Sequence, residues 1–265
     1  MKYNFIVLRS INMQQILSGY HFQKSCKWNL DNRYPIRKWK SRIDLRVGDS
    51  VFLKVCDIPY FISLNINTRV VLVVHNSDES FTDYMYSVVK PYVLKVRAVN
   101  CITPLAEQIP LGLRDDQYVS HGHILDAINS PPVERDILCI VNFILRSKQE
   151  HREAVYNLFK NNPHCKVDHD YMHYTKSLKF TDEETIQRQK QYYKTLKRSI
   201  YSICPQGEGI DTHRVYESIY LGVIPIVLSS PLDPMYSTMP VKIVKDWESV
   251  VSFLEEESHK HTLRD

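Results

Sequence analysis

Cys204-Pro205-Gln206-Gly207-Glu208-Gly209-Ile210-Asp211-Thr212-His213-Arg214-Val215-Tyr216-Glu217 follows an apolar run at 199–204 and leads, through residue 221, into Gly222-Val223-Ile224-Pro225-Ile226-Val227. An apolar run, a glycine-bearing loop, an amphipathic stretch over 211–221 and a second apolar run read as strand, loop, helix and strand. Gly222 stands where a helix is commonly closed. Glycine is scarce in this chain, 7 of 265 residues, yet Gly207, Gly209 and Gly222 fall within this one segment. The two loop glycines are expected to let a diphosphate approach the backbone. The helix start, around Asp211 and His213, offers unpaired N–H groups and the positive end of the helix dipole. Arg214 can hold two phosphate oxygens at once. Glu217 lies three residues on, on the same face, within reach of sugar or ribose hydroxyls. A surface Arg–Glu pair beside a tight turn is the competing reading. The loop is neither a GxGxxG nor a Walker motif, since no GK[ST] follows.

Apolar runs at 51–55, 70–74, 92–98, 137–143 and 223–228 join 199–204 as strands, with 241–244 a seventh. Most are continuous rather than alternating, as in a parallel sheet covered on both faces. Helical patterns lie between them, at 149–161, 181–197, 211–221 and 247–255. Thr181 and Glu184 have the spacing of a capping box. Strand and helix alternate, so the fold class is α/β. Asn129-Ser130-Pro131-Pro132 interrupts the alternation, since two prolines end the preceding element. It divides the chain into residues 1–130 and 131–265, two α/β halves with a cleft between the carboxyl ends of their sheets, where ligands bind in such folds.

Composition narrows the classes. Hydrophobic residues at 43% and charged residues at 24% describe a globular chain. Lys and Arg number 34 against 30 Asp and Glu, a net charge of +4. The richest basic run, 33–46, is broken by Tyr34, Trp39 and Asp44, so no nucleic-acid stripe is present. No segment approaches ~18 uninterrupted apolar residues, and the short run Phe5 to Leu8 is cut off by Arg9, so a membrane span and a signal peptide are not expected. Cys26, Cys56, Cys101, Cys139, Cys165 and Cys204 are scattered singly and read as reduced thiols of a cytoplasmic protein.

The pattern CPxGxGxDxxRxxExxxxGxIPIV resembles the donor-binding signature of exostosin-type glycosyltransferases. Val73-Val74-His75-Asn76-Ser77-Asp78 is similar to a THNSD strand end of small viral and microbial members, with Val74 in place of threonine. Ile109-Pro110-Leu111-Gly112-Leu113 resembles their IPIGL segment before the domain junction, and Val141-Asn142-Phe143 through Arg152 resembles the opening of their C-terminal domain. The resemblance implies GT-B, two Rossmann-like domains facing a central cleft. Residues 1–130 would then be the acceptor side and 131–265 the nucleotide-sugar side with a C-terminal helix. It implies inverting transfer from a UDP-sugar to a glycan hydroxyl. With no anchor or stem expected, it points to a soluble viral (chlorovirus-like) or microbial member acting on capsid glycoprotein in the host cytoplasm. The signature does not select among UDP-xylose, UDP-glucose and UDP-glucuronate; the viral resemblance favours xylose.

The expected donor residues are Gly207, Gly209, Asp211, His213, Arg214 and Glu217, with Arg146 and Ser147 at the end of the 137–143 strand. Arg214 and the helix start neutralise the leaving diphosphate, so neither a metal nor another cofactor is expected. Asp78, with His75 beside it, is the expected base, the alternative being an Asx turn that closes the strand. Trp28, Tyr34, Trp39 and Tyr60 form either a sugar-stacking wall or core. Two other readings stand. Asp168-His169-Asp170, near His164, Cys165 and His173, has the DxD form of metal-dependent GT-A enzymes, although 165–167 is a poor buried strand. His121-Gly122-His123 reads as a loop pair with no third ligand. A sugar-binding module that has lost catalysis is the last.

Overall fold

The computed structural model describes residues 16–31, 44–114, 118–145, 149–168 and 183–262. Runs such as Val70–Val74 are rich in β-branched side chains, which suit a pleated surface. In the first half α1 (Gly19–Ser25), β1 (Trp28–Asn29), β2 (Ser50–Leu53), α2 (Ile58–Ser63), β3 (Val70–Val74), α3 (Asp83–Val89), β4 (Val93–Ala98) and β5 (Glu107–Gln108) follow one another. Next comes α4 (Tyr118–Asn129), then β6 (Ile137–Val141), α5 (Gln149–Phe159), β7 (Cys165–Val167), α6 (Glu183–Lys197) and β8 (Ser199–Ile203). The chain continues through α7 (His213–Tyr220), β9 (Ile224–Leu228), α8 (Asp233–Tyr236), β10 (Lys242–Val244) and α9 (Glu248–Thr262).

Among the described residues these strands form two five-stranded sheets, ordered β1-β2-β3-β4-β5 and β10-β9-β8-β6-β7, with every neighbouring pair parallel. Both faces of each are covered. Val51, Leu53, Leu72 and Val74 pack with Phe61 of α2 and Val89 of α3, while Phe52 and Val73 face Phe22 of α1. In the second sheet Cys139, Val141 and Ile203 meet Val155 and Phe159 of α5 and Val250 and Leu254 of α9, while Ile140 and Val227 meet Leu196 of α6 and Tyr216 of α7. Two covered parallel sheets are the GT-B arrangement.

The two sheets differ in a way that places the site. The first is in sequence order throughout. In the second, the chain leaves β6 for β7 on one side, then returns to β8 on the other. The reversal falls between β6 and β8, and a parallel sheet binds ligands in the crevice that such a reversal opens at the carboxyl ends.

All seven expected strands form, each end within two residues of its expected place. Segment 165–167, read as too weak, is the edge strand β7, and the two-residue strands β1 and β5 carry no apolar run to announce them. The His121-Gly122-His123 segment is helical, inside α4, rather than a loop. Ile124 of α4 joins the apolar cluster of Tyr192 and Leu196, and Lys197 Nζ donates to Ala127 O at 2.6 Å and Ser130 O at 2.9 Å. Packing on α6, not propensity, holds it helical. The expected division at residue 130 thus falls just after a helix that packs on the second half. Thr181 lies outside the described residues.

Candidate functional site

Cys204 N–H makes the last ladder bond of β8, to Ile226 O at 2.9 Å. Pro205 cannot donate the next one, so the chain turns into the glycine loop. Burial pushes the Cys204 thiol up to about 11 against the pull of Arg214, which leaves it a neutral packing group. The loop closes on itself through Gly207 N–H to Gly209 O at 3.1 Å. Gly209 abuts Asn100 from the first half: a Cβ there would lie 2.6 Å from Asn100 Nδ2. The expectation that Gly209 clears space for a diphosphate is therefore corrected. Gly209 clears space for Asn100, and the Gly207 N–H is already engaged.

Asp211 also differs from expectation. Its carboxylate is 3% exposed. It accepts from Leu111 N at 2.9 Å, Thr212 N at 2.9 Å, Tyr216 OH at 2.5 Å and Tyr236 OH at 2.7 Å. A carboxylate offers about four lone-pair sites, so Asp211 is saturated and fastens the loop to Leu111 of the first half. Burial pushes its carboxyl above the usual range, against the lowering effect of these bonds. His213 serves the same junction, its Nδ1–H donating to Gly112 O at 2.8 Å.

The first turn of α7 carries the cation. Arg214 Nη1 donates to Asn142 Oδ1 and, at 3.0 Å, to Tyr192 OH, with the guanidinium 5.3 Å from the Tyr192 ring centre. Glu217, one turn on, accepts from Tyr192 OH at 2.6 Å and Tyr193 OH at 3.1 Å. Tyr192 receives a hydrogen from Arg214 and gives one to Glu217, so the two charged residues are joined through a buried phenol. The helix is closed by Gly222 at φ 71°, with Val223 N–H to Ser218 O at 2.8 Å and Gly222 N–H to Ile219 O at 2.9 Å, a Schellman cap. At its other end Val215 N–H reaches Thr212 O at 3.1 Å, while the His213 and Arg214 amides have no intrahelical acceptor. Arg152 of α5 bridges the reversal, donating to Gln206 O at 2.9 Å after β8 and Ile144 O at 2.6 Å after β6. Arg146 and Ser147 lie outside the described residues.

The facing edge belongs to the first sheet. His75, just past β3, is 0% exposed, stacked on Phe22 and Phe52, with its Nε2 donating to Pro110 O at 3.1 Å. It is a packed imidazole that an acceptor hydroxyl does not reach, and its expected role in catalysis is withdrawn. Asp78, three residues on, is exposed and makes no hydrogen bond with the described residues. The turn beneath it is built otherwise than by an Asx bond from Asp78: Val55 N–H donates to Ser77 Oγ at 2.8 Å, and Asn100 Nδ2 to Ser77 O at 2.9 Å. Asn100 Oδ1 in turn accepts from Asp211 N–H at 2.8 Å. Two hydrogen bonds through one side chain thus join the residue before Asp78 to the end of the glycine loop. Beside them Asp31, 2% exposed, pairs with Lys54 Nζ at 3.1 Å.

The sequence profile of the exostosin GT47 domain matches residues 117–264, more than half of the chain, and the glycine loop, Arg214, Glu217, Asn142 and Arg152 all lie inside the match. The chain belongs to the exostosin GT47 family of glycosyltransferases. Among curated proteins it is similar to ribitol-5-phosphate xylosyltransferase 1 of Danio rerio, 27% identical over 133 residues, 49% of this chain and 30% of the relative. The aligned stretch is less than a third of that relative's length. A vertebrate relative lends no support to the expected viral or microbial origin.

For a GT47 chain the arrangement offers a fixed cation, a helix start and a carboxylate at the carboxyl edge of one sheet, faced by a carboxylate of the other. The GT-A reading does not survive a fold of two parallel sheets. Asp168 closes β7 with its N–H on Val141 O at 3.0 Å, and His169, Asp170 and His173 lie outside the described residues. Among the described residues no group of three or more His, Cys, Asp and Glu side chains is placed to hold a metal ion, and no helix is long and apolar enough to cross a membrane. Of the expected aromatic wall, Trp28 bonds Asp49 at 2.9 Å, at the amino end of the sheet and away from the cleft. Tyr60 of α2 is 53% exposed, and Tyr34 and Trp39 lie outside the described residues. Sequence reasoning missed Asn100, Asn142, Tyr192 and Tyr193. Asn142 sits inside a quoted motif, but nothing in the sequence distinguishes Asn100 from a turn residue.

Proposed function

We propose that this chain is an inverting glycosyltransferase that moves a sugar from a UDP-sugar to a hydroxyl of a glycan, with UDP-xylose the favoured donor. The observation that carries this reading is Arg214 on the first turn of α7, held by Asn142 and Tyr192 at the reversal of the second sheet. Charge develops on the diphosphate as the glycosidic bond breaks. A preorganised guanidinium beside a helix N-terminus stabilises that charge without reorganisation. Glu217 keeps lone pairs beyond those used by the two tyrosines and would accept from donor hydroxyls. Asp78 would take the acceptor proton from the facing edge, His75 being enclosed. In this reading residues 1–130 serve the acceptor and 131–265 the donor, and no metal is required. The similarity to a zebrafish xylosyltransferase supports a pentose donor.

The test is a panel of UDP-sugars read by melting temperature and by UDP release with a glycan acceptor. Saturating UDP-xylose at ~100 Kd should stabilise the fold by ~2.7 kcal/mol, a rise of ~5–10 °C at this size. Release should persist in excess EDTA. Binding without release would make the chain a sugar-binding module. Release abolished by EDTA and restored by manganese would overturn the metal-free mechanism, and no response to any nucleotide would overturn the reading altogether.

A further inference from the structure

Two buried polar atoms beside the glycine loop, Asn142 Nδ2 and Thr212 Oγ1, have no hydrogen-bond partner among the described residues. Asn142 is 0% exposed and immediately follows β6, on one side of the sheet reversal. Its amide orientation is set by chemistry. A guanidinium only donates, so the atom facing Arg214 Nη1 is Oδ1, and the atom left over is the donor Nδ2. Thr212 is the N-cap of α7, the position where a hydroxyl ordinarily accepts from the first turn, yet its side chain makes no capping bond. Buried donors without acceptors are rare and costly, and a valine or leucine would remove that cost where nothing needs the donor. The two orphans flank one cation: Asn142 touches the Arg214 side chain, and Thr212 lies two residues before it. A neutral amide donor, a hydroxyl and a guanidinium, each on or touching the first turn of α7, are jointly satisfied by anionic oxygens.

We propose that Asn142 Nδ2 and Thr212 Oγ1 complete, with Arg214, a three-point cradle for the diphosphate of a nucleoside diphosphate. This rests on the reading of the site as a nucleotide-sugar site, and it assigns Asn142 two functions, holding Arg214 through its oxygen and the ligand through its nitrogen. Nδ2 is sealed from solvent in this arrangement of the chain. The phosphate therefore reaches it by displacing what covers it.

The experiment is calorimetric titration of the full chain with UDP alone, which carries the diphosphate and no sugar. Asn142→Asp keeps the acceptor for Arg214 and replaces the donor with a negative charge, so UDP affinity should fall ~10- to 100-fold while the ligand-free melting temperature stays within a few degrees. If Asn142 only holds Arg214, the aspartate does that as well or better, and unchanged UDP affinity overturns the proposal. Loss of UDP-xylose binding with UDP binding intact also overturns it, since Nδ2 would then face the sugar. Thr212→Val decides independently if Asn142→Asp does not fold: UDP affinity should drop ~3- to 10-fold and return in Thr212→Ser, and an unaffected Thr212→Val overturns the cradle. A wild-type chain that binds no UDP would sink the nucleotide-sugar reading, and this proposal with it. Binding by wild type with equal binding by the variants sinks the proposal alone.

Discussion

Gly209 lies so close to Asn100 that a Cβ on it would stand 2.6 Å from the Asn100 side-chain nitrogen. That nitrogen donates to Ser77 O, and the oxygen of the same amide accepts from Asp211 N–H. The second glycine of the loop after β8 is thus the place where one half of the molecule admits a side chain of the other, and Asn100 is the strut between the Asp78 turn and the start of α7.

Gly209→Ala should break that strut. Its backbone has no positive φ to lose, so the cost comes from the collision alone, ~1–3 kcal/mol for an overpacked buried contact. The melting temperature should fall by several degrees and UDP affinity should fall with it. An alanine variant that melts with wild type would mean that Asn100 gives way without consequence.

Arg214 and Glu217 share Tyr192 but serve different parts of the proposed donor. Arg214→Lys removes the fork that meets Asn142 Oδ1 and Tyr192 OH together, and a point charge on a flexible stem does not replace it. UDP affinity should weaken ~10-fold or more. Glu217→Gln leaves one oxygen for the tyrosines and should reduce kcat more than it reduces UDP affinity. Normal donor binding and turnover in both variants, measured by calorimetry and initial rates, would reduce the pair to packing.

Asp78→Asn should leave the fold unchanged, because Asp78 is exposed and makes no hydrogen bond with the described residues. Loss of the proton acceptor should lower kcat ~10²–10⁴-fold while UDP affinity and melting temperature are kept. A near-normal kcat would move the base to another residue of that edge.

A pH dependence follows from Asp49 at the amino end of the first sheet. Burial works to raise its carboxyl, but hydrogen bonds from Lys27, Trp28 and the Arg46 amide outweigh it and bring the pKa from 3.8 down to about 2. A depressed folded-state pKa gives stability that is present above 3.8 and lost as the pH falls toward 2. Asp49→Asn should therefore melt below wild type at pH 7, by about 1 kcal/mol after screening. That gap should close between about pH 4 and pH 2, as the folded carboxylate takes up its proton. A gap constant with pH would assign the effect to shape.

Seven strands, the α/β alternation and the strand–loop–helix unit around Gly207 to Glu217 were legible in the chain itself. Apolar runs, glycine placement and the three-residue spacing of Arg214 and Glu217 act over a few residues, and backbone geometry turns them into faces and ends. Other features depend on how the two sheets dock: the burial of His75, the saturation of Asp211, the use of Gly209 by Asn100, and the unpaired amide of Asn142. Asn100 meets Asp211 across 111 residues, and Asn142 meets Arg214 across 72. No local pattern carries such a pairing. A buried carboxylate ringed by four donors and an exposed carboxylate at a sheet edge are both aspartates in the sequence; only the tertiary packing decides which donors surround each, and hence which of them is occupied and which is left open to solvent.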